Sequence, residues 1–202
     1  MDSRKTLAFF DLDGTLTRRD TMFDFLFFAT GPFGFIQKML RVLPALVWYY
    51  IFRGQESQAK EILLSAFLKG QSRAEIESLA KRYADRMDQL LRPEVWEVLL
   101  QWQRRGAHVV VVTASLDLWT SAWCQRHGLD LISSRGLWEG NVFSGRLNGP
   151  NCRGEEKVRR IREKIHLESY DTILAWGDSR ADEPMLRLAQ QAYFRGKIWN
   201  PD

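Results

Sequence analysis

Apolar and polar positions along the chain follow two different rhythms. Five short apolar runs, at Thr6–Phe10 and at residues 107–113, 131–134, 172–176 and 192–195, are bounded by turn-forming or charged residues and predict buried strands. Between the later runs lie stretches with the longer helical period, at residues 93–105, 117–127, Glu155–Lys164 and residues 184–190. Residues 136–147 read as a hairpin, with Glu139-Gly140-Asn141 supplying the turn. Strands alternating with helices predict an α/β fold. Val109 to Val112 are all valine, as expected of a parallel strand covered on both faces.

Residues 18 to about 90 carry no convincing strand. Four helical segments are predicted there, at residues 21–29, 35–52, 58–68 and Arg73–Leu90, with breaks at Gly31-Pro32, Arg53-Gly54 and Lys69-Gly70. The chain therefore divides into an α/β unit, residues 1–17 with 91–202, and an all-helical insert, residues 18–90, between the first and second strands. A length of 202 residues is enough to bury one real core and carry such an insert.

Composition narrows the class of partner. A hydrophobic fraction of 45% is ordinary for a soluble globular protein. The net charge is +4 with scattered basic residues, so no nucleic-acid partner is expected. The two cysteines, Cys124 and Cys152, form neither a disulfide framework nor a zinc spacing and are read as reduced thiols. The apolar run behind Arg4 and Lys5 is too short for a signal peptide, and a cytoplasmic location is expected.

Candidate chemistry gathers where strands end. Asp11 and Asp13 follow the first strand, and alternation can start both on one face before Gly14-Thr15 turns the chain. Two like charges this close raise each other's pKa unless a cation lies between them or one keeps a proton. A divalent metal or a shared proton is expected, and an incidental Asp-rich turn is the plain alternative. Thr113-Ala114-Ser115 ends the valine strand; a hydroxyl there can donate to a phosphate oxygen without adding charge, or merely begin a turn. Asp178 and Asp182 follow the fourth strand and precede a helix with an early proline, Pro184. That placement suits metal binding, or else a turn former and a helix N-cap. Lys157, early in a charged helix, reads by itself as a solvated side chain.

The string Phe9-Phe10-Asp11-Leu12-Asp13-Gly14-Thr15 resembles the first motif of the haloacid dehalogenase superfamily, in which Asp-x-Asp-Gly-Thr marks the phosphatases. Thr113 resembles the second motif, Asn151-Cys152-Arg153-Gly154-Glu155-Glu156-Lys157-Val158 the third, and Gly177-Asp178-Ser179-Arg180-Ala181-Asp182 the fourth. The four occur in the family's order over nearly the whole chain. The resemblance implies a Rossmann-like parallel sheet with reacting groups at its carboxyl ends and a helical cap inserted over them. It implies Asp11 as a nucleophile that becomes phosphorylated and Asp13 as the residue that protonates the leaving oxygen and later activates water. Thr113 would bind phosphate, with Ala114 and Ser115 beside it. Lys157 would neutralise the aspartate–phosphate pair, with Arg153, Arg159, Arg160 and Lys164 as alternatives. The implied cofactor is Mg²⁺, held by Asp11, the Asp13 backbone carbonyl and Asp178, with Asp182 supporting the metal or its waters.

The resemblance implies a phosphomonoester substrate, and the insert bears on which one. From Phe33 to Phe52 the chain is very apolar but interrupted by Gln37, Lys38, Arg41 and Pro44. This suits an interfacial helix better than a spanning one, with a buried cap helix as the equal alternative. The chain resembles the subfamily containing phosphoserine phosphatases and phosphatidylglycerophosphatase C, and its third motif and apolar cap look nearer the second. That implies a phospholipid headgroup phosphate and a cap lying against the inner membrane face. Asp20 falls where phosphoserine phosphatases recognise the substrate amine, or else caps the helix that follows. A small-metabolite phosphatase of the phosphoserine type and a membrane-peripheral binding or regulatory module that keeps the fold are the alternatives. Oligomeric state is not expressed in the sequence.

Overall fold

A computed structural model describes residues 5–49 and 56–200. Strand β1 (Thr6–Phe10) leads through a tight turn into helix α1 (Thr21–Val47), followed by α2 (Glu56–Leu68), α3 (Arg73–Leu90) and α4 (Pro93–Arg104). Then come β2 (His108–Leu116), α5 (Asp117–Arg126), β3 (Asp130–Ser134), the hairpin β4 (Gly136–Glu139) and β5 (Val142–Leu147), and α6 (Glu155–Lys164). The chain closes with β6 (Thr172–Gly177), α7 (Glu183–Leu186), β7 (Gln191–Phe194) and β8 (Lys197–Trp199).

The main sheet has the order β3-β2-β1-β6-β7-β8, parallel except for β8. β1 has β2 on one side and β6 on the other, so the chain switches direction across the sheet beside it. The carboxyl ends of β1, β2 and β6 therefore open a crevice at a topological switch point. Alternate residues of each central strand face opposite cores. Ala8, Phe10, Val109, Val111, Leu174 and Trp176 face the side covered by α1–α5, whereas Leu7, Phe9, Val110, Val112, Ile173 and Ala175 face α6 and α7.

The helical insert shares the first of these cores. On α3, Ile76, Leu79, Ala80, Tyr83, Ala84, Met87 and Leu90 form a buried stripe of helical period, started by a Ser72–Glu75 capping box. Arg86 clamps Asp24 of α1 through two hydrogen bonds of 2.6 and 2.7 Å. The break at Gly31-Pro32 is present inside α1, where Gly31 adopts φ 68° and ψ 173°. Residues 50–52 of the predicted second helix and the Arg53-Gly54 break lie outside the described residues.

Beyond that break α1 is not buried all round. Phe35, Met39, Val42 and Leu46 pack on the core. Phe33 (82% exposed), Ile36 (59%), Leu40 (66%), Leu43 and Val47 form a second stripe that faces outward. Among the described residues no helix is long and apolar enough to cross a membrane.

The helices expected at residues 21–29 and 35–52 run on as the single α1, β2 continues to Leu116, and two later elements also depart from the pattern reading. The helix expected at residues 184–190 stops at Leu186, because Gln190 pairs with both the amide and the carbonyl of Ile173 to lead the chain into β7. The strand expected at residues 192–195 ends at Phe194, since Arg195 and Gly196 both take positive φ and turn the chain back as β8. β8 is three residues long, too short to leave a period in the sequence.

Candidate active site

Asp11 is fixed at the end of β1 by its amide, which donates to the Trp176 carbonyl at 3.0 Å and extends the β1–β6 pairing by one residue. The next residues make a closed turn: Thr17 N donates to Leu12 O (2.9 Å) and Gly14 N to Thr17 O (3.1 Å). Gly14 sits at φ +89°, and a Cβ there would lie 2.4 Å from Asp178 Oδ2. Glycine is needed both for the turn and for the approach of Asp178. β2 breaks register between Thr113 and Leu116, which carries Thr113-Ala114-Ser115 into the crevice.

Lys157 is fully buried. Its Nζ donates to Asp11 Oδ1 (2.6 Å), Asp182 Oδ1 (2.7 Å) and the Val112 carbonyl (2.7 Å), so all three of its protons are used. Of the alternatives, Arg159 and Arg160 pair with Glu156, Arg160 also donates to the Ser133 and Pro150 carbonyls, and Lys164 donates to Leu131 O. Arg153 joins Lys157 in the cavity wall. The geometry singles out Lys157 as the cation on Asp11.

Asp182 Oδ2 accepts from the amides of Asp178 and Ser179 and from the Ser179 hydroxyl, shaping the loop after β6. Gly177 leaves room for this, since a Cβ on it would lie 2.5 Å from Asp182 Cβ. Asp13 is held at both oxygens: Thr21 N donates to Oδ1 and Ser115 Oγ donates to Oδ2, each at 2.6 Å. Ser115 is thus placed on Asp13 rather than in the cavity wall. Its amide donates to Thr113 Oγ1 at 2.9 Å, which leaves the Thr113 proton able to point elsewhere. Asp20 caps α1, accepting from Met22 N (2.9 Å) and Phe23 N (3.1 Å), and also lines the cavity.

Burial sets the charge states. It lifts the Asp11 carboxyl to about 7 although Lys157 pulls the other way. Burial and the Asp20 charge raise Asp13 against its hydrogen bonds from Ser115 and Thr21. Burial and Asp182 raise Asp178. Burial also opposes the charged forms of Lys157 and Asp182, but Asp11 and Asp182 together keep Lys157 above its ordinary value, and Lys157 with the Ser179 hydrogen bonds keeps Asp182 below its own. Burial thus works against the charged forms of Asp11 and Asp178, and Lys157 only partly offsets it.

Ligand oxygens of Asp11, Asp178 and Asp182 lie within 4.8 Å of one another. An all-oxygen carboxylate set in which burial raises Asp11 and Asp178 fits a hard divalent cation such as Mg²⁺. The Asp13 carboxylate is outside that cluster and occupied by Thr21 and Ser115, which leaves only its backbone for a metal.

A cavity of about 630 Å³ opens above these groups. Asp11, Asp13, Thr113, Ala114, Lys157, Asp178 and Asp182 line its floor, and Met22, Phe23, Met39, Leu46, Val47, Ala59 and Leu63 form an apolar wall. One charged lining residue was marked neither by a motif nor by the resemblance. Lys60 of α2 donates to Ala114 O (2.5 Å) and to Asn151 Oδ1 (3.0 Å). The helical period offered a signal, because Lys60 stands one turn before Leu63 and Leu64, on the buried side of α2.

A parallel α/β sheet with carboxylates and a buried lysine at its switch point defines a hydrolase of the haloacid dehalogenase type. The match to the haloacid dehalogenase-like hydrolase family runs over residues 8–187, and the chain belongs to that family. It is similar to the protein CicA of Caulobacter vibrioides, 37% identical over 98% of this chain and 90% of that protein. Among solved structures it resembles a protein of unknown function from Bordetella pertussis Tohama I, with a TM-score of 0.79, 24% identity, and coverage of 94% and 89% of the two chains. A phospho-aspartyl intermediate analogue of phosphoserine phosphatase matches with a TM-score of 0.57 and 24% identity, over 94% of this chain and 85% of that one.

Proposed function

We propose that this protein is a Mg²⁺-dependent phosphomonoester hydrolase that works through an aspartyl-phosphate on Asp11, with a phospholipid headgroup phosphate as substrate. The single observation carrying the reaction type is the buried Asp11–Lys157–Asp182 array, open to a cavity and flanked by Asp178. Phosphoryl transfer needs little from a protein beyond position and positive charge, and this array supplies both.

In the first half-reaction an Asp11 oxygen attacks phosphorus in line, the ester P–O bond breaks, and Asp13 gives its proton to the departing alkoxide. In the second, Asp13 takes a proton from water as the water oxygen attacks phosphorus, and the P–O bond to Asp11 breaks. The raised pKa of Asp13 suits a group that must hold a proton and then receive one. Thr113 donates its hydroxyl proton to a phosphoryl oxygen, and Lys157 offsets the charge around Asp11. Mg²⁺, held by Asp11, Asp178 and the Asp13 carbonyl with Asp182 behind, would neutralise charge on the phosphoryl oxygens.

The lipid part rests on the cap. We read residues 18–90 as a cap domain over residues 1–17 and 91–202. Apart from Asp20 and Lys60 its cavity wall is apolar, and Val47 belongs both to that wall and to the outward stripe of Phe33, Ile36, Leu40 and Leu43. A substrate with an acyl portion would leave the cavity along this stripe, which would rest on the inner face of a membrane. The test is a phosphomonoester screen with Mg²⁺ present and absent, including phosphatidylglycerophosphate, O-phosphoserine and p-nitrophenyl phosphate. The reading expects Mg²⁺-dependent turnover with the lipid preferred, and preference for phosphoserine overturns its lipid part.

A further inference from the structure

Lys60 has a setting unlike that of the other cations in the site. Lys157 is matched by two carboxylates, but the hydrogen-bond partners of Lys60 are neutral, a backbone carbonyl and an amide oxygen. Asn151 Oδ1 is itself fixed, since Ser134 Oγ donates to it at 2.8 Å. Among the described residues, Lys60 is the one charged side chain that α1, α2 and α3 contribute to the cavity wall. Its neighbours on that wall, Ala59 and Leu63, are apolar. An ammonium taken partly out of water, whose direct acceptors are neutral and whose nearby carboxylates, Asp13 and Asp20, make no hydrogen bond to it, gains from a directly bound anion. Its position next to Ala114, one residue past Thr113, puts it in the same cavity beside the candidate phosphate-binding hydroxyl.

We propose that Lys60 is a specificity residue that binds a second anionic group of the substrate, the phosphodiester of a glycerophospholipid headgroup whose terminal monoester is cleaved. This rests on the lipid reading above and sharpens it. The scissile phosphate lies against Asp11 and Thr113, the phosphodiester against Lys60, and the acyl chains along Met39, Leu46 and Val47. Burial holds the free ammonium down to about 8, with Asp13, Asp20 and Cys152 acting in the opposite sense, and a bound anion would restore its charge.

The test compares two short-chain lipids with the same tails, dihexanoyl phosphatidylglycerophosphate and dihexanoyl phosphatidate, which lacks the second anion. The expected result is a wild-type preference in kcat/KM for the first. A charge-assisted hydrogen bond supports discrimination of about 10- to 100-fold, so Lys60→Met should lower that ratio by this factor, chiefly through KM, and Lys60→Arg should restore most of it. An unchanged ratio in Lys60→Met overturns the assignment of Lys60 while the lipid reading stands. Failure of the wild type to hydrolyse either lipid while it turns over p-nitrophenyl phosphate overturns both. A measurement on the wild-type protein avoids any folding defect of a variant. Dihexanoyl phosphatidylglycerol should inhibit p-nitrophenyl phosphate hydrolysis competitively and dihexanoylglycerol should not, and equal inhibition by the two counts against a second anion site.

Discussion

Lys157 Nζ lies 2.6 Å from Asp11 Oδ1, and both side chains are buried. A buried pair of this kind is costly to break, because the partner left behind keeps an uncompensated charge. Here the stranded partners would be two, Asp11 and Asp182. Lys157→Met is therefore expected to lose about 3–5 kcal/mol of stability in chemical denaturation, together with phosphatase activity. A variant of native stability would show that the pair is not what holds the carboxylates together.

Gly14→Ala tests the link between the turn after β1 and the proposed metal site. The added Cβ would sit 2.4 Å from Asp178 Oδ2 on a backbone at φ +89°, so Asp178 must move. Displacing a metal-binding carboxylate through its surroundings typically costs about 10- to 100-fold in metal affinity. The Mg²⁺ concentration for half-maximal activity should rise by that order, and an unchanged Mg²⁺ titration would remove Asp178 from the ligand set.

Lys60 should make stability depend on pH in a defined direction. Its folded pKa is about 8 against an ordinary 10.5, so the folded state releases this proton before the unfolded state does. Between those values the unfolded chain binds more protons, and stability rises with pH. Below pH 8 the buried charge is a cost of up to about 3 kcal/mol. Without substrate, the melting temperature of Lys60→Met relative to wild type should be highest at pH 7 and fall towards pH 10. A gap independent of pH would show that Lys60 is not held down in the fold.

The outward stripe of α1 makes a prediction independent of the chemistry. Phe33→Ser combined with Leu40→Ser removes two exposed apolar side chains from it. Their burial at a lipid surface corresponds to a loss of about 100-fold in partitioning. Co-sedimentation with anionic liposomes should fall accordingly, while hydrolysis of p-nitrophenyl phosphate should persist. Wild-type protein that fails to co-sediment would leave the stripe without a lipid role.

How far the sequence reached depended on the range of the interaction. β1 and α6 have the predicted bounds, because an apolar run and a charged helix are local patterns. The carboxylates at the ends of β1 and β6 were legible because strand ends are where an α/β sheet exposes its chemistry. By residue type alone Lys157 was a surface lysine; only the topology that sets α6 against β1 and β2 buries it. Lys60 was missed for the same reason, since Gln58-Ala59-Lys60-Glu61 reads as a solvated helix turn until Ala114 and Asn151 are brought to it. The outward stripe of α1 was likewise invisible to composition, which cannot say which of two apolar faces is covered.

The central claim is that Asp11 carries the phosphoryl group. Rapid acid quenching of wild-type protein during turnover of p-nitrophenyl phosphate with Mg²⁺, followed by peptide mass spectrometry, tests it directly. The account predicts one added phosphoryl group on the peptide containing Asp11, and its absence from Asp11→Asn together with loss of turnover. A phosphoryl group on another residue, or near-normal turnover by Asp11→Asn, would contradict it.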